Sequence, residues 1–249
     1  LIAKERIDKL LLTRGLVKSR QQAQALILEG AVLVDEQRID KPGMRVDPAA
    51  TIRLKHSSLP YVSRAGQKLE KALEVFAPDI AGFLCLDIGA STGGFTDCLL
   101  QHGAQKVFAV DVGHNQLDWK LRCQPEVVCL EGLNARYLKF EQIGVQVDLV
   151  TMDVSFISLT MIFPVLHPFL KPSSKIICLI KPQFEVGKGQ VEKGGLVTDP
   201  RKHEQVIERI SKAAKTEGYR ILGVVDSPIL GAQGNREFLM GLAAPEGLP

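Results

Sequence analysis

The chain has 249 residues, 45% of them hydrophobic and 24% charged, with a formal net charge of +3. This is ordinary globular composition, enough to bury a core in one large domain or in a medium domain plus a small one. No apolar run approaches the roughly 18 residues of a membrane helix and no signal-peptide core opens the sequence, and a cytoplasmic protein is expected.

The charge is unevenly placed. Residues 1–58 hold 11 Lys/Arg against 7 Asp/Glu, so the positive excess lies in the first quarter, as in a module that faces a polyanion. There, Ile7, Leu10 and Leu11 have helical spacing and Gly15 stops the helix. Ser19 and Gln22 have capping-box spacing for a second helix, whose apolar face is Ala23, Leu26 and Ile27 and whose stop is Gly30. Ala31–Val34 reads as a strand, Asp35–Gln37 as a turn and Thr51–Leu54 as a closing strand, with Lys41-Pro-Gly43 breaking regular structure between them. Arg6, Lys9, Arg14, Lys18 and Arg20 fall on the outer surfaces of the two helices. The first residue is Leu1, not Met, and a few residues are expected to precede it.

The order of these pieces, carried by R-I-D-K-L-L, G-L-V-K-S-R-Q-Q-A and L-I-L-E-G-A-V-L-V, resembles the RNA-binding domain first named from a small-subunit ribosomal protein, the S-four type. The resemblance implies that the basic helix faces grip phosphates and RNA shape without reading bases. We therefore expect an S-four-type domain over residues 1–58, a linker over 59–66 marked by Pro60 and Gly66, and a second domain over 67–249.

The second domain has a βα rhythm. A helix starts near Lys68 with Leu69 and Leu73 on one side; strands are expected at 83–88, Lys106–Asp111, Val127–Leu130, Val147–Met152, Lys175–Ile180, Arg220–Val225 and Phe238–Leu242. Ile162, Val165, Leu166 and Phe169 suggest a helix ended by Lys171-Pro172, and Glu204–Lys215 is an amphipathic helix. Lys68 lies where the helix dipole does not help a cation, which marks it as a candidate functional lysine beside the commoner reading of a surface lysine. The five cysteines are scattered without a C-x-x-C pair, and Cys85 and Cys178 fall in apolar strands, as reduced core residues do. The five histidines show no ligand spacing, and no metal site is expected.

Asp87-x-Gly89-x-x-x-Gly93-Gly94 joins the first of these strands to a helix, and Asp111 follows Gly89 by 22 residues at the end of the next strand. Doubly wound sheets place a ribose-binding acid at such a distance. The turn matches neither the dinucleotide nor the triphosphate glycine pattern, in which backbone amides must approach phosphate oxygens. S-adenosyl-L-methionine, which has no phosphate, suits it better; the alternative is a turn whose glycines only permit close packing.

Asp87, Asp111, Asp153 and Lys181 each follow an apolar run, and in a parallel sheet those ends open on one ligand-binding edge. Methyl transfer to a ribose hydroxyl needs a proton removed, and a lysine becomes a base for it only when desolvation or a second ammonium lowers its usual pKa of about 10.4. Lys68 is the natural second cation, with Asp153 and Glu237 holding the pair.

Lys68, Asp153, Lys181 and Glu237 resemble, in order and context, the Lys-Asp-Lys-Glu tetrad of FtsJ-like ribose 2′-O-methyltransferases. The flanking Ser63-Arg-Ala-Gly-Gln-Lys68, Met152-Asp-Val-Ser-Phe156, Lys181-Pro-Gln-Phe-Glu185 and Gly234-Asn-Arg-Glu-Phe-Leu239 are similar to the TlyA (haemolysin A) family. The resemblance implies a Rossmann-like seven-stranded α/β methyltransferase sheet preceded by a small α+β RNA-binding domain. It implies an RNA (ribose-2′-O)-methyltransferase acting on structured ribosomal RNA or ribosomal subunits, with no obligate protein partner. Lys181 is then the base, with Lys68, Asp153 and Glu237 positioning it and the ribose. Asp87, Gly89, Ser91, Thr92, Gly93, Gly94, Asp111 and Asn134 are the implied cofactor contacts, and Arg64 joins the basic residues at the RNA. Gln233 stands where a basic residue is expected, and Gly187–Gly195 reads either as a loop closing on RNA or as a plain surface loop. Two rival readings are an idle RNA-binding or ribosome-assembly protein, which intact tetrad residues argue against, and a pore-forming haemolysin, for which no lytic helix or membrane span is found.

Overall fold

The chain divides into two compact units, Leu1–Pro60 and Tyr61–Pro249, each with its own helices and strands. In a computed structural model of the protein, residues 4–17, 20–28, 30–54, 60–77, 79–187, 189–192 and 194–247 are described, without the side chains of Gln22, Ala25 and Ala232.

In the first unit, helices α1 (Ile7–Thr13) and α2 (Arg20–Leu28) close over a three-stranded antiparallel sheet ordered β3-β2-β5, where β2 is Val32–Val34, β3 Gln37–Arg38 and β5 Ile52–Leu54. A two-residue ladder pairs β1 (Glu5–Arg6) with β4 (Arg45–Val46). The core is the set that helical and strand spacing put inside, chiefly Ile7, Leu10, Leu11, Ala23, Ile27, Val32 and Val34. The β2–β3 hairpin turns through Asp35 and Glu36, both at positive φ, a two-residue turn whose twist matches that of the strands. The turn is thus shorter than Asp35–Gln37, because Gln37 already pairs with Val34. The expected capping box of Ser19 and Gln22 lies outside the described residues.

The second unit is a seven-stranded sheet in the order β11-β12-β10-β9-β6-β7-β8. Its strands are β6 (Leu84–Ile88), β7 (Lys106–Asp111), β8 (Val127–Glu131), β9 (Val147–Met152), β10 (Leu170–Ile180), β11 (Arg220–Asp226) and β12 (Phe238–Ala243). The pairs from β8 through β10 are parallel, and β12 runs antiparallel to both β10 and β11. Helices α3 (Ala65–Phe76) and α4 (Gly94–Gln101) cover one face, over Cys85, Leu149, Ile177, Leu179 and Leu239. The opposite face buries Leu86, Ile88, Val150, Met152, Cys178, Ile180 and Met240 with Val206 and Ile210 of α8 (Pro200–Thr216). Short helices α5 (Trp119–Arg122), α6 (Phe140–Ile143) and α7 (Pro182–Glu185) complete the unit. Odd-numbered positions of these strands therefore face α3 and α4, the period-2 alternation of a pleated strand.

Three expectations are corrected. Helix α3 begins at Ala65, so Ala65 and Gly66 are helical rather than linker, and Lys68 is its fourth residue. Residues 159–169 form three successive 3-10 turns instead of one helix, since Pro164 and Pro168 supply no N–H for a continuous α-helical ladder. Strand β10 starts at Leu170, and its pairing with β9 shifts register between Leu170 and Lys175.

Asp87 lies inside β6 on the α3/α4 face and is fully buried. Thr96 Oγ1 donates to its Oδ2 at 2.7 Å and Thr151 Oγ1 to its Oδ1 at 2.9 Å. Burial outweighs these hydroxyls and pushes the carboxyl up to about 6. The folded state then holds the proton more tightly than the unfolded chain, so this group's contribution to stability falls as pH rises from about 4 to about 6. Asp87→Asn keeps the shape and removes the titration. Relative to wild type it should gain on the order of 2 kcal/mol between pH 4 and pH 7 in denaturant melts; a pH-independent difference contradicts the buried-acid assignment.

Candidate active site

The parallel strands β6, β7 and β9 end together beside a cavity of ≈ 470 Å³ lined by Gly89, Ser91, Asp111, Asn134, Asp153 and Ser155 among others. Gly89 makes the turn possible. It sits at φ +83, and a Cβ there would stand 2.6 Å from the Asp153 carbonyl oxygen. Asp153 N in turn donates to Ile88 O at 3.0 Å, so the glycine turn and the Asp153 segment are in backbone contact. Asp111 closes the opposite wall, its Oδ2 accepting from Ser91 N at 2.8 Å and its Oδ1 from Gly113 N at 2.7 Å. At the end of β8, Glu131 accepts from Asn115 N at 2.8 Å, Gln116 N at 3.0 Å and Arg122 Nη2 at 2.6 Å, which shapes the neighbouring loop. These bonds outweigh partial burial and hold its carboxyl down at about 2. Val112, Leu133 and Ile157 give the cavity apolar walls.

Two ion pairs stand at the same strand ends. Lys181 Nζ lies 2.6 Å from Asp153 Oδ1 and donates to Ser155 Oγ at 3.0 Å. Lys68 Nζ, nearly buried on α3, donates to Glu237 Oε2 at 2.6 Å. Ile180 pairs with Phe238 in the antiparallel β10–β12 ladder, which brings Lys181 and Glu237 to adjacent strand ends. Asp153 and Lys181 directly follow β9 and β10, Glu237 directly precedes β12, and Lys68 belongs to α3. Gly231 leaves room for the carboxylate: a Cβ there would stand 1.9 Å from Glu237 Oε1. The four residues thus form two carboxylate–ammonium pairs on neighbouring strand ends, and of the four only Asp153 lines the cavity itself.

The expected cofactor residues divide. Gly89, Ser91, Asp111 and Asn134 line the cavity, and Asn134 Oδ1 also accepts from Arg136 N at 3.1 Å. Asp87, Thr92, Gly93 and Gly94 do not. Asp87 is consumed by Thr96 and Thr151 behind the wall, which corrects its reading as an open strand end. Thr92 O accepts from Asp118 N at 3.1 Å. A Cβ on Gly93 would meet Leu121 Cδ1 at 2.3 Å, and one on Gly94 would meet Ser63 Oγ at 2.2 Å, so neither position admits a side chain.

Among the expected RNA residues, Lys9 and Arg64 are exposed and Lys18 lies outside the described residues. Arg14 is turned to the carbonyls of Ala50, at 2.9 Å, and Pro48. Arg6 and Arg20 both bind Asp8. Gln233 is exposed, and the described part of the Gly187–Gly195 stretch is tied to buried Asn235, whose Nδ2 donates to Gly195 O at 2.8 Å.

Sequence reasoning assigned no role to Ser155, Phe156 or Glu185. Phe156 sits at φ +63, is 90% exposed at the cavity mouth, and packs its ring against Phe184 with centroids 4.8 Å apart. Buried Glu185 accepts from Ser158 Oγ at 2.7 Å and Leu159 N at 2.9 Å, bracing the segment that carries Ser155 and Phe156. An aromatic residue directly after D-V-S was the available signal; its left-handed backbone was not readable. Among the described residues no helix is long and apolar enough to cross a membrane, and no three His, Cys, Asp or Glu side chains are grouped to hold a metal ion.

A mixed seven-stranded sheet with one antiparallel strand next to its edge, and a cavity at the parallel strand ends, defines a methyltransferase fold. Residues 61–244 match the FtsJ-like methyltransferase family and residues 5–52 the S4 domain. The chain belongs to the FtsJ-like methyltransferase family. It is 47% identical, over 95% of its length and 89% of the relative's, to TlyA of Mycobacterium tuberculosis, named a 16S/23S rRNA (cytidine-2′-O)-methyltransferase. It is 41% identical, over 94% of its length and 98% of the relative's, to a protein of Brachyspira hyodysenteriae named Hemolysin A. A solved chain from Streptococcus thermophilus carrying a hemolysin name superposes with TM-score 0.77 at 42% identity, over 99% of this chain and 90% of that one.

Gly89→Ala should strain the turn and displace the Asp153 segment, at a cost of roughly 1–3 kcal/mol. Denaturant melts should record that loss, and hydrogen exchange should speed up across residues 153–158. Wild-type protection of that segment would contradict the contact between Gly89 and Asp153 as the organising feature.

Proposed function

We propose that this protein transfers the methyl group of S-adenosyl-L-methionine to a ribose 2′-hydroxyl of structured ribosomal RNA, in the cytoplasm. The observation that carries this reading is the Lys181 amine, fixed between Asp153 and Ser155 at the cavity edge. The family is one of methyltransferases, and the TlyA relative bears the name of a ribose 2′-O-methyltransferase.

The cavity fits the proposed donor. Its apolar walls at Val112, Leu133 and Ile157 would suit an adenine, and Asn134, also in the lining, would offer it a polar partner. Each Asp111 carboxylate oxygen accepts one amide and keeps a second lone pair for a ribose hydroxyl. The amides of Gly89 and Ala90 donate to Val110 O, Ser91 N to Asp111 and Gly93 N to Ala90 O, so these are not aimed at a phosphate, as suits a ligand without one. Bound there, the donor supplies an electrophilic methyl on a sulfonium.

Lys181 acts from its neutral form, reached by releasing the ammonium's proton to solvent before transfer; its Nζ then accepts the proton that leaves the 2′-oxygen as the oxygen–methyl bond forms and the sulfur–methyl bond breaks. The Asp153 carboxylate then stabilises the ammonium that results, and Ser155 fixes the direction of the amine. Lys68, held by Glu237, places a second positive charge at the same strand ends, toward charge developing on the 2′-oxygen. Exposed Phe156 offers a flat apolar face to the target nucleotide. In this reading the Leu1–Pro60 unit supplies affinity for RNA and the Tyr61–Pro249 unit supplies the chemistry.

Lys181→Ala should lower transfer of a labelled methyl group to ribosomal RNA by roughly 10²–10⁴-fold, with cofactor affinity changed little in calorimetric titration. Methylation by this variant at the wild-type rate would remove Lys181 from the role of base. A wild-type chain that binds RNA and cofactor yet transfers no label would favour the idle, RNA-binding reading.

A further inference from the structure

Asp8 is fully buried in the basic unit, beneath a surface read as RNA-facing. Its partners are three polar side chains from the starts of two helices. Arg6, just before α1, donates through Nε to Oδ1 at 3.0 Å and through Nη2 to Oδ2 at 2.9 Å. Arg20, the first residue of α2, donates through Nε to the same Oδ2 at 2.9 Å, and Gln24 one turn later reaches it at 3.4 Å. The two arginine side chains stay 43% and 53% exposed.

Because the two guanidinium groups share one acceptor atom, the nitrogens that meet there can be separated by at most about twice one hydrogen-bond length. Each guanidinium has five N–H donors in a planar fork; Asp8 takes two from Arg6 and one from Arg20, so most remain directed elsewhere. Two cations this close repel, and a buried carboxylate between them offsets that repulsion while fixing both planes. The arginines hold the Asp8 carboxyl far below the usual carboxylate range, so the trio stays fully charged at neutral pH and carries one net positive charge.

We infer that Asp8 is a positioning residue that sets Arg6 and Arg20 as a two-pronged fork for a single phosphodiester group of RNA. Shape and charge both fit such a group. Phosphate presents several acceptor oxygens from one centre, and guanidinium pairs bind it by parallel charge-assisted hydrogen bonds. A bystander acid on an RNA-facing surface would instead weaken binding by simple repulsion. This inference rests on the RNA reading above.

The two accounts differ in sign, and that makes the test sharp. Asp8→Asn removes a negative charge, so long-range electrostatics alone predicts tighter RNA binding. The positioning role predicts roughly tenfold weaker binding, and a slope of log K against log salt that is shallower by about 1. The probe is in vitro transcribed ribosomal RNA, titrated with the full-length chain at several salt concentrations, with a thermal melt for each variant. Arg20→Lys, which keeps both the charge and Asp8 but loses the planar fork, should weaken binding to a similar degree, and it decides the matter if Asp8→Asn fails to fold. Combining the two substitutions should add little beyond either one. Folded Asp8→Asn that binds as tightly as wild type or tighter overturns the inference, as does wild-type affinity in Arg20→Lys. A wild-type chain without salt-dependent RNA affinity overturns the RNA reading together with it.

Discussion

Glu237 reaches back across 169 residues to the Lys68 ammonium, and that buried bond fixes helix α3 to the end of the sheet's antiparallel strand. Burying two opposite charges brings little or no net stability, because losing water costs several kcal/mol per ion and close pairing only roughly offsets it. An apolar pair of similar size would hold α3 as well. Breaking the pair by removing one partner is another matter, since it leaves an uncompensated charge at a cost of about 3–5 kcal/mol. Two such pairs at one sheet edge, Lys68–Glu237 and Lys181–Asp153, therefore add little to folding, and the proposed chemistry gives them a use.

The rest of the second unit serves to hold these groups still. Asp153 and Lys181 follow the ends of β9 and β10 and Glu237 precedes β12, while the even-numbered residues next to them, Met152, Ile180 and Phe238, belong to the core opposite α3. Gly89 lets the first strand's turn lie against the Asp153 backbone, so the cavity wall and the residue that pairs with Lys181 are in direct contact. Glu185 braces the segment after Asp153 from α7, the short helix that follows Lys181 directly. The pair that contains Lys181 is thus cross-linked twice, once through its own ion pair and once through a neutral-to-carboxylate contact a turn away.

Much of this was legible in the sequence. The apolar runs marked every strand of the second unit, and the charged residues that end or follow them marked the edge where the site lies. Asp87 was misread as one of those ends because its neighbour Ile88 also belongs to the strand, and nothing local reveals that Thr96 and Thr151 supply hydroxyls to a buried acid. The segment 159–169 reads as a helix by spacing of its apolar residues, and only the two prolines argue otherwise. In the first unit the basic residues were visible but not their partners. In a linear reading Arg6 and Arg20 are indistinguishable from Arg14, yet they bind a shared carboxylate while Arg14 binds carbonyls of the turn at 48–50. Such distinctions depend on side-chain geometry across elements, which periodicity does not encode.

The central claim is that the amine at the cavity edge serves transfer to a ribose oxygen and not to a base. RNA labelled with a tritiated methyl group by the purified protein, then hydrolysed in alkali, tests it most directly. A 2′-O-methylated nucleotide has no free 2′-hydroxyl to cleave its own 3′ linkage, so the account predicts label in alkali-stable dinucleotides. Label recovered in mononucleotides would place the methyl group on a base and contradict the account.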